Sequence, residues 1–387
     1  MPRHPDVSTR SERLSASVYS ALVGRVHAQP GPVYPFHVGD TWMEPATGCR
    51  MQDLSIAEHP GLHRYGPVQG RADLRAAIAA QRRRRTGLDV QADDILVTAG
   101  ATSGLGITLG ALVDPGDEVL ILAPHWPLIA GMVHGLSGKA VTVPFLGAVQ
   151  DAAQAVAAVE VHRTPRTVAL YVNTPNNPTG CLLPADWLRA LAAWARQHDL
   201  WLLADEVYED YVYDGVHTAM RTLAPDRTVS VHSFSKAYGM AGNRAGYLVG
   251  PRALLRRALR FGVHSAYSAP TAAQVAALRA LGAAGDDWLA QAARRYAEIG
   301  REAAAALGVS APQGSTFLWL DVASHLGAGG LTAFLERAGD RGLLLAPGPS
   351  FGPYPTHVRV CFTAAPPDIT ARGVAALADL LERPNED

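Results

Sequence analysis

From about Asp94 to Gly250 the chain alternates short β-branched apolar runs with helical stretches, and this alternation limits the fold more than any other feature. The strand-like runs are Asp94–Gly100, Glu118–Pro124, Lys139–Val143, Thr167–Val172, Leu200–Ala204, Thr228–His232 and Gly246–Val249. Between them lie helical segments, clearest from Pro184 to His198, where Trp187, Leu188, Leu191 and Trp194 recur at helical spacing. Strands alternating with helices predict a mainly parallel, seven-stranded sheet covered by helices on both faces. Ligands of such α/β folds bind beyond the carboxyl ends of the strands, so residues at those ends are the first candidates for function.

After Pro251 the texture changes. Ala/Arg-rich helices are expected at 251–261 and 271–307, the second interrupted around 282–285. A strand at 316–322, a helix at 331–342, a strand at 357–363 and a closing helix at 367–381 follow. The expected organisation is an N-terminal arm, 1–45, with a short strand at Val33–Val38; a large domain, 46–265; and a smaller α/β domain, 266–387. With 387 residues the chain can bury a sizeable core.

The net charge of −1 offers no footprint for a nucleic-acid backbone or an anionic membrane surface, and no apolar run approaches the about 18 residues of a membrane span. The first residues carry no apolar segment of a secretory signal, which gives a cytoplasmic expectation. Cys49, Cys181 and Cys361 are odd in number and far apart, against a disulfide framework or a structural zinc site. Of 34 basic residues only Lys139 and Lys236 are lysine. A guanidinium is effectively always protonated, so a lysine kept in so arginine-rich a chain is a candidate amine nucleophile.

Four clusters fall at predicted strand ends. Lys236 stands in His232-Ser-Phe-Ser-Lys-Ala-Tyr-Gly, with Arg244 eight residues on; this suits an amine that forms a Schiff base beside a bound phosphate, although a surface loop lysine would read the same way. Asp205, in Leu203-Ala-Asp-Glu-Val-Tyr208, ends an apolar run, so its carboxylate needs a cation or donor, or else it caps a turn. In Asn173-Thr-Pro-Asn-Asn-Pro-Thr-Gly180 two prolines stiffen the turn that carries Asn177. Val97-Thr-Ala-Gly-Ala-Thr102 leads from strand to helix and offers backbone N–H groups to an anion.

Together with Arg359 in His357-Val-Arg-Val-Cys-Phe, these motifs closely resemble the class I and II aminotransferases, fold-type I pyridoxal phosphate (PLP) enzymes, in order and spacing from Gly39 to Arg359. The resemblance implies a homodimer that moves an α-amino group from an amino acid to a 2-oxo acid by a ping-pong mechanism. By that resemblance Lys236 is the Schiff-base lysine and proton carrier. Asp205 pairs with the pyridine nitrogen, Asn177 and Tyr208 bond the ring hydroxyl oxygen, and Trp126 stacks on the ring. Phosphate is held by Ala101, Thr102, Ser233, Arg244 and Tyr65 of the partner subunit. Arg359, helped by Gly39 and Asn177, clamps the substrate α-carboxylate, and His264 lies on the substrate side.

The chain also departs from its relatives. The Asp40-Thr-Trp42 that follows Gly39 matches no assignable pattern, and Thr102 and His264 stand near positions where dicarboxylate-using relatives carry a cation. The expected preferred donor is therefore not aspartate. A PLP-dependent lyase or cyclase of a specialised pathway would use the same lysine and electron sink, and a PLP-binding sensor without turnover is a rival of another class. No metal is expected.

Overall fold

The computed structural model describes residues 11–12, 14, 22–28 and 30–382. Within them the strand-rich region forms one seven-stranded sheet: β1 (Ile95–Thr98), β2 (Glu118–Ala123), β3 (Lys139–Pro144), β4 (Thr167–Asn173), β5 (Trp201–Asp205), β6 (Thr228–Ser233) and β7 (Gly246–Val249). Their spatial order is β1-β7-β6-β5-β4-β2-β3. The pairs from β6 through β5, β4 and β2 to β3 are parallel, and β7 runs antiparallel to both its neighbours.

Side chains alternate across this sheet, as the pleat requires. Leu120, Leu122, Leu170, Val172 and Leu202 pack on one face beneath helices Ala152–Glu160 and Ala185–Gln197. Val119, Ile121, Tyr171, Leu203 and Val231 pack on the other, beneath helices Gly100–Leu112 and Arg252–Val263. Helix Ala185–Gln197 shows why the segment is helical: Leu188, Leu191, Ala192 and Ala195 make a buried stripe at the 3.6-residue period, and Pro184 precedes its first turn.

A second, antiparallel sheet has the order β8-β10-β9, with β8 Phe317–Asp321, β9 Ala346–Pro347 and β10 His357–Cys361. Helices Thr271–Ala280, Ala283–Ala306, Gly330–Gly339 and Pro367–Glu382 accompany it. One continuous apolar cluster joins Leu74, Ile78 and Ile95 near the large sheet to Tyr296, Leu318 and Val358 around the small one. No helix among the described residues is long and apolar enough to cross a membrane.

The arm differs from expectation. Residues 1–10, 13, 15–21 and 29 lie outside the described residues, and Val33–Val38 is no strand. Tyr34 alone bridges Leu343; Pro35 has no N–H to extend the ladder, and the chain folds back at once through a bond from the Phe36 N–H to the Tyr34 carbonyl.

Candidate functional site

The carboxyl ends of β1, β2, β4, β5 and β6 share one edge of the large sheet. Because β7 is antiparallel, its first residues reach the same edge, which brings Arg244 beside the ends of the parallel strands. A cavity of about 260 Å3 opens there, walled on the far side by Gly39, Phe351 and Arg359.

Lys236 occupies the four-residue helix Phe234–Ala237 that follows β6, capped by Ser233, whose Oγ accepts from the Ser235 N–H at 3.0 Å. The Lys236 amine enters the cavity and donates to the Gly39 carbonyl, while its own carbonyl accepts from the Tyr211 hydroxyl at 2.6 Å. Desolvation lowers its pKa, with nearby Asp40 opposing. Lys139 lies elsewhere: it is exposed on β3 and paired with Glu118 at 2.8 Å.

Asp205, at the end of β5, is 3% exposed, and its Oδ2 accepts from the Tyr171 hydroxyl at 2.6 Å. Tyr171 on β4 and Asp205 project from the same face, which makes the bond possible. Desolvation raises the Asp205 carboxyl to about 6, against the lowering effect of Tyr171. Tyr208 is buried beside it, and burial pushes its phenol upward. Asn177 is fixed by its N–H, which donates to Asn173 Oδ1 at 2.7 Å, and its own Oδ1 accepts from Arg359 at 2.9 Å. A second nitrogen of Arg359 donates to the His37 carbonyl at 2.6 Å.

Ala101 and Thr102 line the cavity in the first turn of helix Gly100–Leu112, opposite Arg244, with Ser233 close by. Free N–H groups of a helix start, a hydroxyl and a guanidinium are the donor set for a phosphate. The seat is open because of two glycines. A Cβ on Gly100, whose φ is +80°, would run into the Arg244 guanidinium, and one on Gly246 would lie 2.8 Å from the Ala101 nitrogen. Trp126, after β2, supplies an indole to the cavity wall. A buried carboxylate for a ring nitrogen, a deprotonatable amine and an anion seat fit the PLP expected from sequence.

Two candidates stand apart. Tyr65 is 87% exposed, its ring against Tyr267 at 4.9 Å, outside the cavity of its own chain. His264 is exposed at the end of helix Arg252–Val263 and does not line the cavity either. Sequence reasoning gave no role to Tyr171, Tyr211, Phe317 or Phe351. Apart from Phe351, which meets Arg359 only a short loop away, their contacts join residues tens of positions or more apart, and no local motif signals them.

The profile described as aminotransferase class I and II matches residues 36–377. The probable aspartate/prephenate aminotransferase of Thermus aquaticus is 37% identical over 312 residues, covering 78% of this chain and 80% of that one. The arginine–pyruvate transaminase of Pseudomonas aeruginosa is 35% identical over 309 residues, covering 76% and 77%. The solved aspartate aminotransferase from Thermus thermophilus with maleate has a TM-score of 0.88 at 30% identity, covering 97% of this chain and all of that one.

Proposed function

The chain belongs to the class I and II aminotransferases, and on that premise we propose that it is a PLP-dependent homodimer whose cavity transfers an α-amino group from an amino acid to a 2-oxo acid. The observation that carries this reading is Lys236: one of two lysines in the chain, its amine stands in the cavity with Asp205, Asn177 and Arg359 around it.

PLP supplies an aldehyde that exchanges an amino group and a ring that accepts electrons from the substrate Cα. Lys236 would anchor that aldehyde and, once displaced, its amine would be the base that carries the proton of the 1,3-shift away from Cα. Its lowered pKa leaves a larger fraction as the free base. Asp205 keeps a proton on the ring nitrogen, and Tyr171 holds the carboxylate in place for that task. Asn177 and Tyr208 orient the ring oxygen, and Trp126 covers a ring face. Ala101, Thr102, Ser233 and Arg244 hold the phosphate, with Tyr65 contributed by the partner subunit. Arg359 takes the α-carboxylate as a bidentate pair, oriented by Asn177 and the His37 carbonyl. Residues 46–265 form the cofactor domain and 266–387 the small domain, a division supported by the two separate sheets.

The test is a half-reaction screen of the PLP-loaded protein against single amino acids. Spectral conversion on adding a donor, reversed by a 2-oxo acid and absent in Lys236→Ala, is expected. Loss of a substituent from the substrate without transfer of its nitrogen would make the protein a lyase or cyclase, and no conversion with any amino acid would make it a sensor.

A further inference from the structure

Arg359 is 4% exposed at the centre of β10, opposite Trp319 of β8 and Ala346 of β9. Its hydrogen bonds to Asn177 and His37 engage the edge of the guanidinium plane, yet a planar cation can still tilt about such bonds. Two aromatic rings address the rest of the group. The Phe317 centroid lies 4.3 Å from the guanidinium carbon and the Phe351 centroid 4.9 Å from it. Both distances are well inside cation–π range, where a desolvated cation gains most from a ring quadrupole.

The rings are themselves held. Phe317 meets Tyr208 edge-on at 5.5 Å and 78°, and a Cβ on Gly39 would stand 3.0 Å from its Cζ. Phe351 lines the cavity and is backed edge-on by Trp319 at 5.4 Å and 77°. Phe317 and Phe351 are both buried, at 0% and 1% exposure.

We propose that Phe317 and Phe351 are positioning residues for the substrate α-carboxylate: their rings set the tilt of the Arg359 guanidinium and offset the cost of keeping it out of water. The inference deepens the reading of Arg359 as the carboxylate clamp and rests on it. It places the determinant of carboxylate recognition in apolar side chains of β8 and of the loop before β10. A leucine at either position would stay apolar and fill most of the space but lose the ring face, so the guanidinium would spread over several orientations.

The test uses the PLP-loaded protein with Phe317→Leu, Phe351→Leu, Phe351→Tyr and Arg359→Gln. Pyruvate, a 2-oxo acid that binds without needing turnover, is titrated by calorimetry. In parallel, half-reaction rates are compared for a donor amino acid and for the amine with the same side chain but no carboxylate. Each leucine variant is expected to raise the Kd for pyruvate about tenfold and to lower the amino acid to amine rate ratio by a similar factor, with PLP affinity retained. Phe351→Tyr, which keeps the ring, should recover most of both. A structural role alone would slow amino acid and amine alike, and that outcome, or an unchanged Kd, overturns the proposal. If Phe317→Leu does not fold, Phe351→Leu decides. Should Arg359→Gln bind pyruvate as tightly as the wild type, the clamp assignment fails and takes this inference with it. Should the wild type convert no amino acid, transamination fails while the pyruvate titration still decides the role of the rings.

Discussion

Lys236 and Lys139 carry the same functional group and differ in everything around it. One amine is drawn into a cavity and desolvated; the other is a solvated partner of Glu118. Borohydride treatment of the PLP-loaded protein should therefore fix the cofactor on a peptide containing Lys236, and label on Lys139 would refute the assignment. Asp205 offers a second test through stability. Its folded pKa of about 6 lies above the ordinary carboxyl value, so between about pH 4 and 6 the folded cofactor-free protein holds a proton that the unfolded chain has lost. This contribution to stability is present at low pH and disappears as pH rises through 6, leaving a penalty on the order of 3 kcal/mol. Asp205→Asn should stabilise the cofactor-free protein at pH 7.5 more than at pH 5, while weakening PLP binding. A variant less stable at pH 7.5 in a denaturant titration would show that the carboxylate is already compensated. Substrate choice rests on single residues too. Among the described residues the cations lining the cavity are Lys236, Arg244 and Arg359, each with a proposed task, and Thr102 is neutral. A second carboxylate would enter without a counterion from this chain, which disfavours it strongly. The kcat/KM for aspartate should fall below that of neutral or basic donors; aspartate ahead by about tenfold, ~1.4 kcal/mol, would contradict this.

Whole elements, rather than side chains, make the anion seat: the start of helix Gly100–Leu112 meets the start of β7, and the approach depends on Gly100 and Gly246. Gly100→Ala would add a side chain at positive φ and press on Arg244. The expected result is at least a tenfold higher Kd for PLP with near-native far-UV circular dichroism; unchanged affinity would show that the seat has room. Elements also set what the sequence revealed. Lys236, Asp205 and Asn177 were legible because each sits in a short motif at a strand end, where chemistry and turn geometry are local, whereas Arg359, at the centre of β10, was legible only through the family resemblance. The direction of β7 was not, since four apolar residues look alike in either orientation. Nor was β9, two residues long, or the failure of Val33–Val38 to form a strand, which depended on the missing N–H of Pro35. Phe317 and Phe351 read as ordinary core residues, and only the pairing of β8 with β10 and the fold of the loop before β10 give them Arg359 as a neighbour.

At the scale of the whole molecule, the exposed Tyr65–Tyr267 ring pair lies outside the cavity of its own chain. If Tyr65 serves the neighbouring site, complementation will reveal it. Mixed dimers of Lys236→Ala and Tyr65→Ala protomers would contain one site with both defects and one with neither. Activity in the mixture well above both parents is expected, and activity no higher than the better parent would place Tyr65 in its own subunit or outside the site.

The antiparallel β7 also has a consequence for assembly in time. The hairpin of β6 and β7 carries both Lys236 and Arg244 within a short stretch of chain, so these two anchors can meet by local pairing, which is fast. The other half of the phosphate seat follows β1, whose Ile95 pairs with Val249 across most of the large sheet's sequence. A pairing of such high contact order closes late. During synthesis β1 emerges early and then waits for its partner, so the nascent chain gains the lysine and arginine together with the last two strands of the large sheet and completes the phosphate seat only when β1 docks on β7. Cofactor capture thus reports that the longest-range contact of the sheet has closed, and PLP added during refolding should hasten the final step rather than the initial collapse.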